Sequence, residues 1–159
     1  MKHEVYVSQE VRNLGHNNAA SLIKRAVQAA LDDEGVDCPC IVRVMLTDEE
    51  GIRRVNAEFR GVDSATDVLS FPLNELEPGR FDPEACERDP ETGAVMLGDM
   101  MISLPRCEAQ GEEFGHGFAH ELQYLSVHSV LHLLGYDHLD EGPMKRQMRE
   151  REKGIMGEE

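Results

Sequence analysis

Three histidines fall within eleven residues, His128, His132 and His138, in the order H-x-x-x-H-x-x-G-x-x-H. The first two are four apart, so a helix places both imidazoles on one face with Cβ atoms about 5–6 Å apart. Gly135 follows where a left-handed residue would end that helix, and His138 can then swing back as a third ligand. Three neutral imidazoles suit one zinc ion per chain, at about 2.0–2.1 Å per nitrogen, with a fourth position open as in catalytic sites. Val127, Val130, Leu131 and Leu134 fall on one broad apolar side of the same helix. His128 and His132 point away from the middle of that side, so the helix is expected to be anchored by one face and to present the other to a cleft.

The same ligand spacing occurs in metal-dependent proteases of the metzincin type, which carry a glutamate directly after the first histidine as general base. Here that position is Ser129. The metal geometry is kept without the residue that activates water for peptide hydrolysis, which argues for metal-assisted hydrolysis of another bond.

A chain of 159 residues with 40% hydrophobic content and no apolar run near the ~20 residues that span a bilayer is expected to fold as one domain, residues 1–159, away from any membrane. The opening residues lack the apolar core of a signal peptide, so the cytoplasm is the expected compartment. Cys38, Cys40, Cys86 and Cys107 contain no C-x-x-C pair and are expected to be free thiols. The net charge of −15 opposes tight nonspecific binding to nucleic acid. It is unevenly spread: Glu75 to Glu91 holds seven acids and two arginines, whereas Lys145 to Lys153 holds five bases and two acids, and Arg53, Arg54 and Arg60 form another basic group.

Hydrophobic periodicity predicts the order β-α-β-α-β-β-α-α, an α/β (α+β) fold with a small mixed sheet packed by helices and the zinc site in the C-terminal helical part. His3 to Val7 alternates as a strand. Asn17 or Asn18 can cap a helix running to about Glu34, with Leu22, Ile23, Ala26, Val27, Ala30 and Leu31 as its stripe and Gly35 as its stop. Ile41 to Leu46 is a second strand. Thr47-Asp48-Glu49-Glu50 has the form of a capping box, opening a helix with Ile52, Val55 and Phe59 inward and its end near Gly61. Val68 to Phe71 is a short strand. Leu73 to Gly93, acidic and rich in Pro and Gly, is expected to be a mobile flap dispensable for the fold. Ala94 to Leu104 is a strand interrupted at Gly98-Asp99. A helical region from Pro105 to Leu134 follows, and then a last helix from about Pro143 to Lys153, capped by Asp140, with Met144 and Met148 packing.

Three blocks carry a resemblance to a known family. They are Phe59-Arg60-Gly61 with Thr66-Asp67-Val68-Leu69-Ser70-Phe71-Pro72, then Leu97-Gly98-Asp99-Met100-Met101-Ile102-Ser103, and finally His128 to His138. In identity, order and spacing they resemble the YbeY endoribonucleases, bacterial ribosomal-RNA maturation factors. The resemblance implies a metal-dependent endoribonuclease specific for single strands, acting in 3′-end maturation of small-subunit rRNA and in ribosome quality control. The implied partners are single-stranded RNA, the small ribosomal subunit and its assembly factors, with neither membrane nor DNA. It places the zinc ligands on His128, His132 and His138 and the functionally important arginine on Arg60. Two departures are Ser129, where the family usually has glycine, and an acidic loop that looks longer than in many members.

An arginine suits phosphodiester cleavage because its planar fork can hold two phosphate oxygens as charge builds. The competing role for Arg60 is an exposed helix-end charge interacting with the macrodipole. Asp99 and Asp137 can orient ligand imidazoles or simply cap turns, and Ser70 can contact substrate or cap a loop. His116 and His120 are expected to be exposed helix residues, and His3 and His16 carry no signal. Two routes stay open, attack by metal-activated water or by the RNA 2′-hydroxyl. The alternatives in other classes are a metalloprotease-like zinc hydrolase and a non-enzymatic assembly factor in which zinc only holds the fold.

Overall fold

The computed structural model describes residues 2–136 and 143–157. Four strands, β1 (Glu4–Gln9), β2 (Cys40–Thr47), β3 (Val68–Pro72) and β4 (Val95–Ser103), form one mixed sheet in the order β1-β2-β4-β3. β1 and β4 run parallel to β2, and β3 closes the edge antiparallel to β4. The described residues also form five α-helices, α1 (Ala19–Asp33), α2 (Glu49–Arg60), α3 (Leu104–Glu113), α4 (Gly117–Leu133) and α5 (Pro143–Met156), the last packed on α4 and α1. The expected α/β fold with a small mixed sheet is therefore the observed one. The long helical region divides into α3 and α4 at Phe114–His116, around Gly115.

The main core lies between one sheet face and helices α1 and α4. It joins the α1 stripe to Val42, Val44 and Leu46 of β2, to Val95, Leu97, Met100 and Ile102 of β4, and to Leu122, Leu125, Val127, Val130 and Leu131 of α4. The inward residues of β4 change parity between Leu97 and Met100. A bulge is the cause: Ile41 pairs with Met96, but Val42 pairs with Gly98, leaving Leu97 as the extra residue. Gly98 adopts φ 146° there, and a Cβ on it would lie 2.4 Å from the carbonyl oxygen of Phe71. The interruption expected at Gly98-Asp99 is thus a bulge within a continuous strand. Among the described residues, the opposite sheet face carries α2, over a small cluster of Ile52, Leu69 and Met101.

Four local expectations are corrected. Asp48, not Thr47, caps α2 by accepting from the Gly51 amide at 2.8 Å, while the buried Thr47 hydroxyl donates to Glu10. Phe59 is 66% exposed and meets Phe71 edge-on instead of entering the core. Asn18 occupies the start of α1 without a side-chain cap. Residues 73–93 are not a free flap. The Asn74 amide donates to the Met96 carbonyl and its oxygen accepts from the Glu87 amide. Backbone bonds join Met96 to Glu87 and Asp89 to Ala94, and Leu76, Phe81 and Cys86 pack on the main core. Acidic composition misleads here because this segment is held by nonlocal hydrogen bonds and three apolar anchors.

His3, which carried no sequence signal, is a buried structural residue. Its Nδ1 accepts from the Cys40 amide, and burial lowers its pKa, favouring the neutral ring. The four cysteines are free, as expected. Among the described residues no helix is long and apolar enough to cross a membrane.

Candidate active site

Helix α4 is buried on most of its circumference, and beyond Leu122 only Gln123, Tyr124, His128 and His132 are not fully buried. The last three repeat every four residues and form one stripe. Val127, Val130, Leu131 and Leu134 anchor the helix as expected, and the buried Leu133 and Ser129 extend its packing further round. Nε2 of His128 and Nε2 of His132 face one another at 3.1 Å. Nδ1 of His128 lies 2.7 Å from Oε2 of Glu152 on α5, whose carboxylate is almost fully buried. A carboxylate can only accept, so the proton sits on Nδ1 and the Nε2 lone pair is turned toward the cleft.

This geometry suits a metal ion. Two nitrogens bound at ~2.0–2.1 Å to a tetrahedral centre stand about 3.3 Å apart, close to the observed separation, and a carboxylate behind the ligand ring is the usual partner of a metal-binding imidazole. His138 and Asp137 lie outside the described residues, as do Asp140 and the side chain of Met144. Among the described residues no group of three or more His, Cys, Asp or Glu side chains forms a metal cluster.

The histidines open into a cleft of about 550 Å³. Arg60 lies at one side, at the exposed end of α2, with Thr66, Asp67 and the β3 backbone as floor, and Asn74, Glu75, Leu76, Gly135 and Tyr136 as the opposite rim. Ser70 also lines it, and its hydroxyl meets that of the buried Ser129 at 2.6 Å. The position that carries the base in metzincin-type proteases is therefore turned into the α4–β3 contact, away from solvent. Tyr136 holds the turn after α4 by donating to Glu34, the residue that caps the C-terminus of α1, at 2.6 Å. Burial and that carboxylate push its phenol up to about 12. Arg151 of α5 approaches the other Glu34 oxygen at 3.7 Å, tying α1, the end of α4 and α5 together behind the site.

The structure thus brings Arg60, Ser70, His128 and His132 to one cleft. Asp99 is excluded: the bulge turns it to the other sheet face, where it pairs with Arg43 at 3.2 Å. His116, exposed as expected, contacts Glu121 at 2.8 Å, and the half-buried His120 packs against the His116 ring. The orienting acid is Glu152, which sequence reasoning missed. Its signal was present, because Glu152 stands one turn beyond the inward Met148 on an otherwise polar helix, a position that should be apolar unless a buried partner awaits it.

Fold and cleft together define an α/β domain whose mixed sheet and α4 present paired, carboxylate-backed imidazoles opposite an arginine. The family model described as Endoribonuclease YbeY matches residues 4–158. The chain is 43% identical over 141 residues to the Endoribonuclease YbeY of Clostridium kluyveri, covering 85% of each chain. It is 38% identical over 161 residues to that of Clostridium botulinum strain Langeland, covering 98% of this chain and 92% of the relative. A solution structure of a Thermotoga maritima protein superposes with a TM-score of 0.56 at 25% identity, covering 96% of this chain and 89% of the other. The chain belongs to the YbeY endoribonuclease family.

Proposed function

We propose that the cleft between α4, β3 and the end of α2 is the catalytic site of a single zinc-dependent endoribonuclease domain spanning residues 1–159. Its substrate is single-stranded RNA at the 3′ end of small-subunit rRNA, and its setting is the cytoplasm, with the small ribosomal subunit and its assembly factors as partners. Internal cleavage of RNA in rRNA processing is the activity of the family. The observation that carries the assignment to this cleft is the pair of Nε2 atoms 3.1 Å apart, backed by a buried carboxylate and facing the same cavity as Arg60.

His128, His132 and His138 would hold one zinc ion. Bound there, the metal supplies Lewis-acid polarisation at the scissile phosphate and neutralises developing charge. Glu152 fixes the His128 ring and its tautomer. Arg60 grips the nonbridging phosphate oxygens across the cleft, and the β3 floor with the Asn74–Leu76 rim confines the strand. The protease alternative is disfavoured, because the position that carries the general base in metzincin-type proteases is Ser129, buried against Ser70.

Cleavage of a labelled single-stranded RNA with and without a zinc chelator tests this reading. Loss of cutting on chelation and recovery on zinc addition are expected. Chelator-resistant cutting by the purified chain would remove the metal from the mechanism. Glu152→Gln should keep the fold and weaken zinc binding by about 10–100-fold, measured by competition with a chromogenic chelator, and an affinity equal to that of the parent would reduce Glu152 to a packing residue.

A further inference from the structure

We propose that Glu34, at the C-terminus of α1 and outside the cleft lining, is a positioning residue of the metal site. It acts through the Tyr136 hydroxyl on the turn from which the chain runs on to His138. This rests on the zinc reading above and deepens it. His138 follows Tyr136 by two residues, so its Cα stands within about 7 Å of the Tyr136 Cα whatever path the chain takes. The reach of the third imidazole is therefore set by how firmly Tyr136 is held.

Among the described residues, three kinds of contact hold Tyr136. Its amide donates to the Leu131 carbonyl at 3.0 Å, which fixes it only against its own helix. Its ring is buried in the main core, but apolar packing is non-directional. Its hydroxyl donates to Oε1 of Glu34 at 2.6 Å, 102 residues earlier in the chain. That bond to a carboxylate fixes a direction as well as a distance. On the other side of the turn, Gly135 lies so close to the Leu76 carbonyl that a Cβ would not fit. The turn is thus clamped between the cleft rim and the end of α1.

Helix α1 itself has no use for the Glu34 side chain. Gly35, at φ 71°, ends the helix, with backbone bonds from Gly35 to Asp32 and from Val36 to Leu31. An acid at a helix C-terminus opposes the macrodipole, and burying it adds a second cost. The side chain is 4% exposed, and its Oε2 has no hydrogen-bond donor among the described residues, facing Nε of Arg151 at 3.7 Å. A residue that breaks local rules in this way is expected to serve a site. The two groups that this carboxylate meets both support the metal centre. Tyr136 precedes His138, and Arg151 directly precedes Glu152, which holds the His128 ring. One carboxylate thereby sets the turn toward the third ligand and steadies the helix behind the first.

The test is the zinc affinity of the full-length chain, measured by competition with a chromogenic chelator, alongside the melting temperature of the zinc-free protein. Tyr136→Phe removes the hydroxyl and keeps the ring. It should weaken zinc binding about tenfold, the lower end of what losing a supporting partner costs a metal site. Glu34→Ala should weaken it by a similar factor. Because both act through one bond, the Glu34→Ala/Tyr136→Phe double variant should lose no more than either single variant. Glu34→Gln keeps an oxygen that accepts from Tyr136 and should retain most of the affinity. A purely structural role would lower the melting temperature of the zinc-free protein while every variant bound zinc as tightly as the parent. That result would refute the positioning role and leave the zinc reading standing. Losses that add in the double variant would also overturn the proposal, by showing that the two residues act separately. Should Glu34→Ala fail to fold, parent-like affinity in Tyr136→Phe refutes the proposal on its own. If the parent binds no zinc, the zinc reading falls and the positioning role with it.

Discussion

Gly135→Ala should destabilise the protein by about 2–5 kcal/mol, one of the largest effects expected for any single substitution in the chain. Gly135 sits directly after α4 at φ 104°, where an L side chain is disfavoured. A Cβ there would lie 2.1 Å from the Leu76 carbonyl oxygen and 2.7 Å from its carbon. Both are backbone atoms, so no rotamer change relieves the clash, and either the Asn74–Leu76 rim or the end of α4 must move. The left-handed penalty of roughly 1–2 kcal/mol adds to a backbone displacement of about 1–3 kcal/mol. Because Leu76, Gly135 and Tyr136 line the cleft, the displacement also widens the site. Denaturant unfolding checks the first effect. A midpoint within experimental error of the parent would show that the rim yields freely.

Arg60→Ala should keep zinc content and melting temperature while losing roughly 10²–10³ in the rate of RNA cleavage. Arg60 is exposed at the end of α2 and anchors nothing in either hydrophobic cluster, so stability should not depend on it. It lines the same cleft as His128 and His132, so the reaction should. Arg60→Lys should recover only part of the rate, because a lysine supplies a point charge without the bidentate fork. An alanine variant cutting at the parent rate would reduce Arg60 to a helix-end charge.

The elements carried by strong periodicity were legible in the chain. The α1 stripe is buried as read, the four strands fall within a few residues of their expected places, and the i,i+4 histidines share a face because helix geometry leaves no alternative. What local patterning cannot carry is nonlocal. The acidic composition of 73–93 pointed to a loose flap, yet Asn74 ties it to Met96 and Glu87. For Asp99 the sequence leaves open a ligand-orienting or a turn-capping role, and one bulge residue turns it to the other sheet face, away from the histidines. Phe59 has inward helical spacing, but α2 covers only part of its sheet face and leaves the ring beside Phe71 at the surface. Glu152 needed a partner twenty-four residues away in α4 to make sense of a buried acid.

The most direct measurement is zinc content and RNA cleavage determined together on the parent and on His128→Ala. Loss of one imidazole from a three-histidine site weakens metal binding steeply, and His128 is partly exposed to the cleft on a helix anchored by other residues. The parent should hold one equivalent of zinc per chain and cut single-stranded RNA. His128→Ala should stay folded at the assay temperature, with a lower melting temperature because the buried Glu152 loses its partner, retain well under one equivalent and cut nothing detectable. A His128→Ala protein with a full equivalent of zinc and undiminished cleavage would place both the metal and the chemistry elsewhere in the molecule.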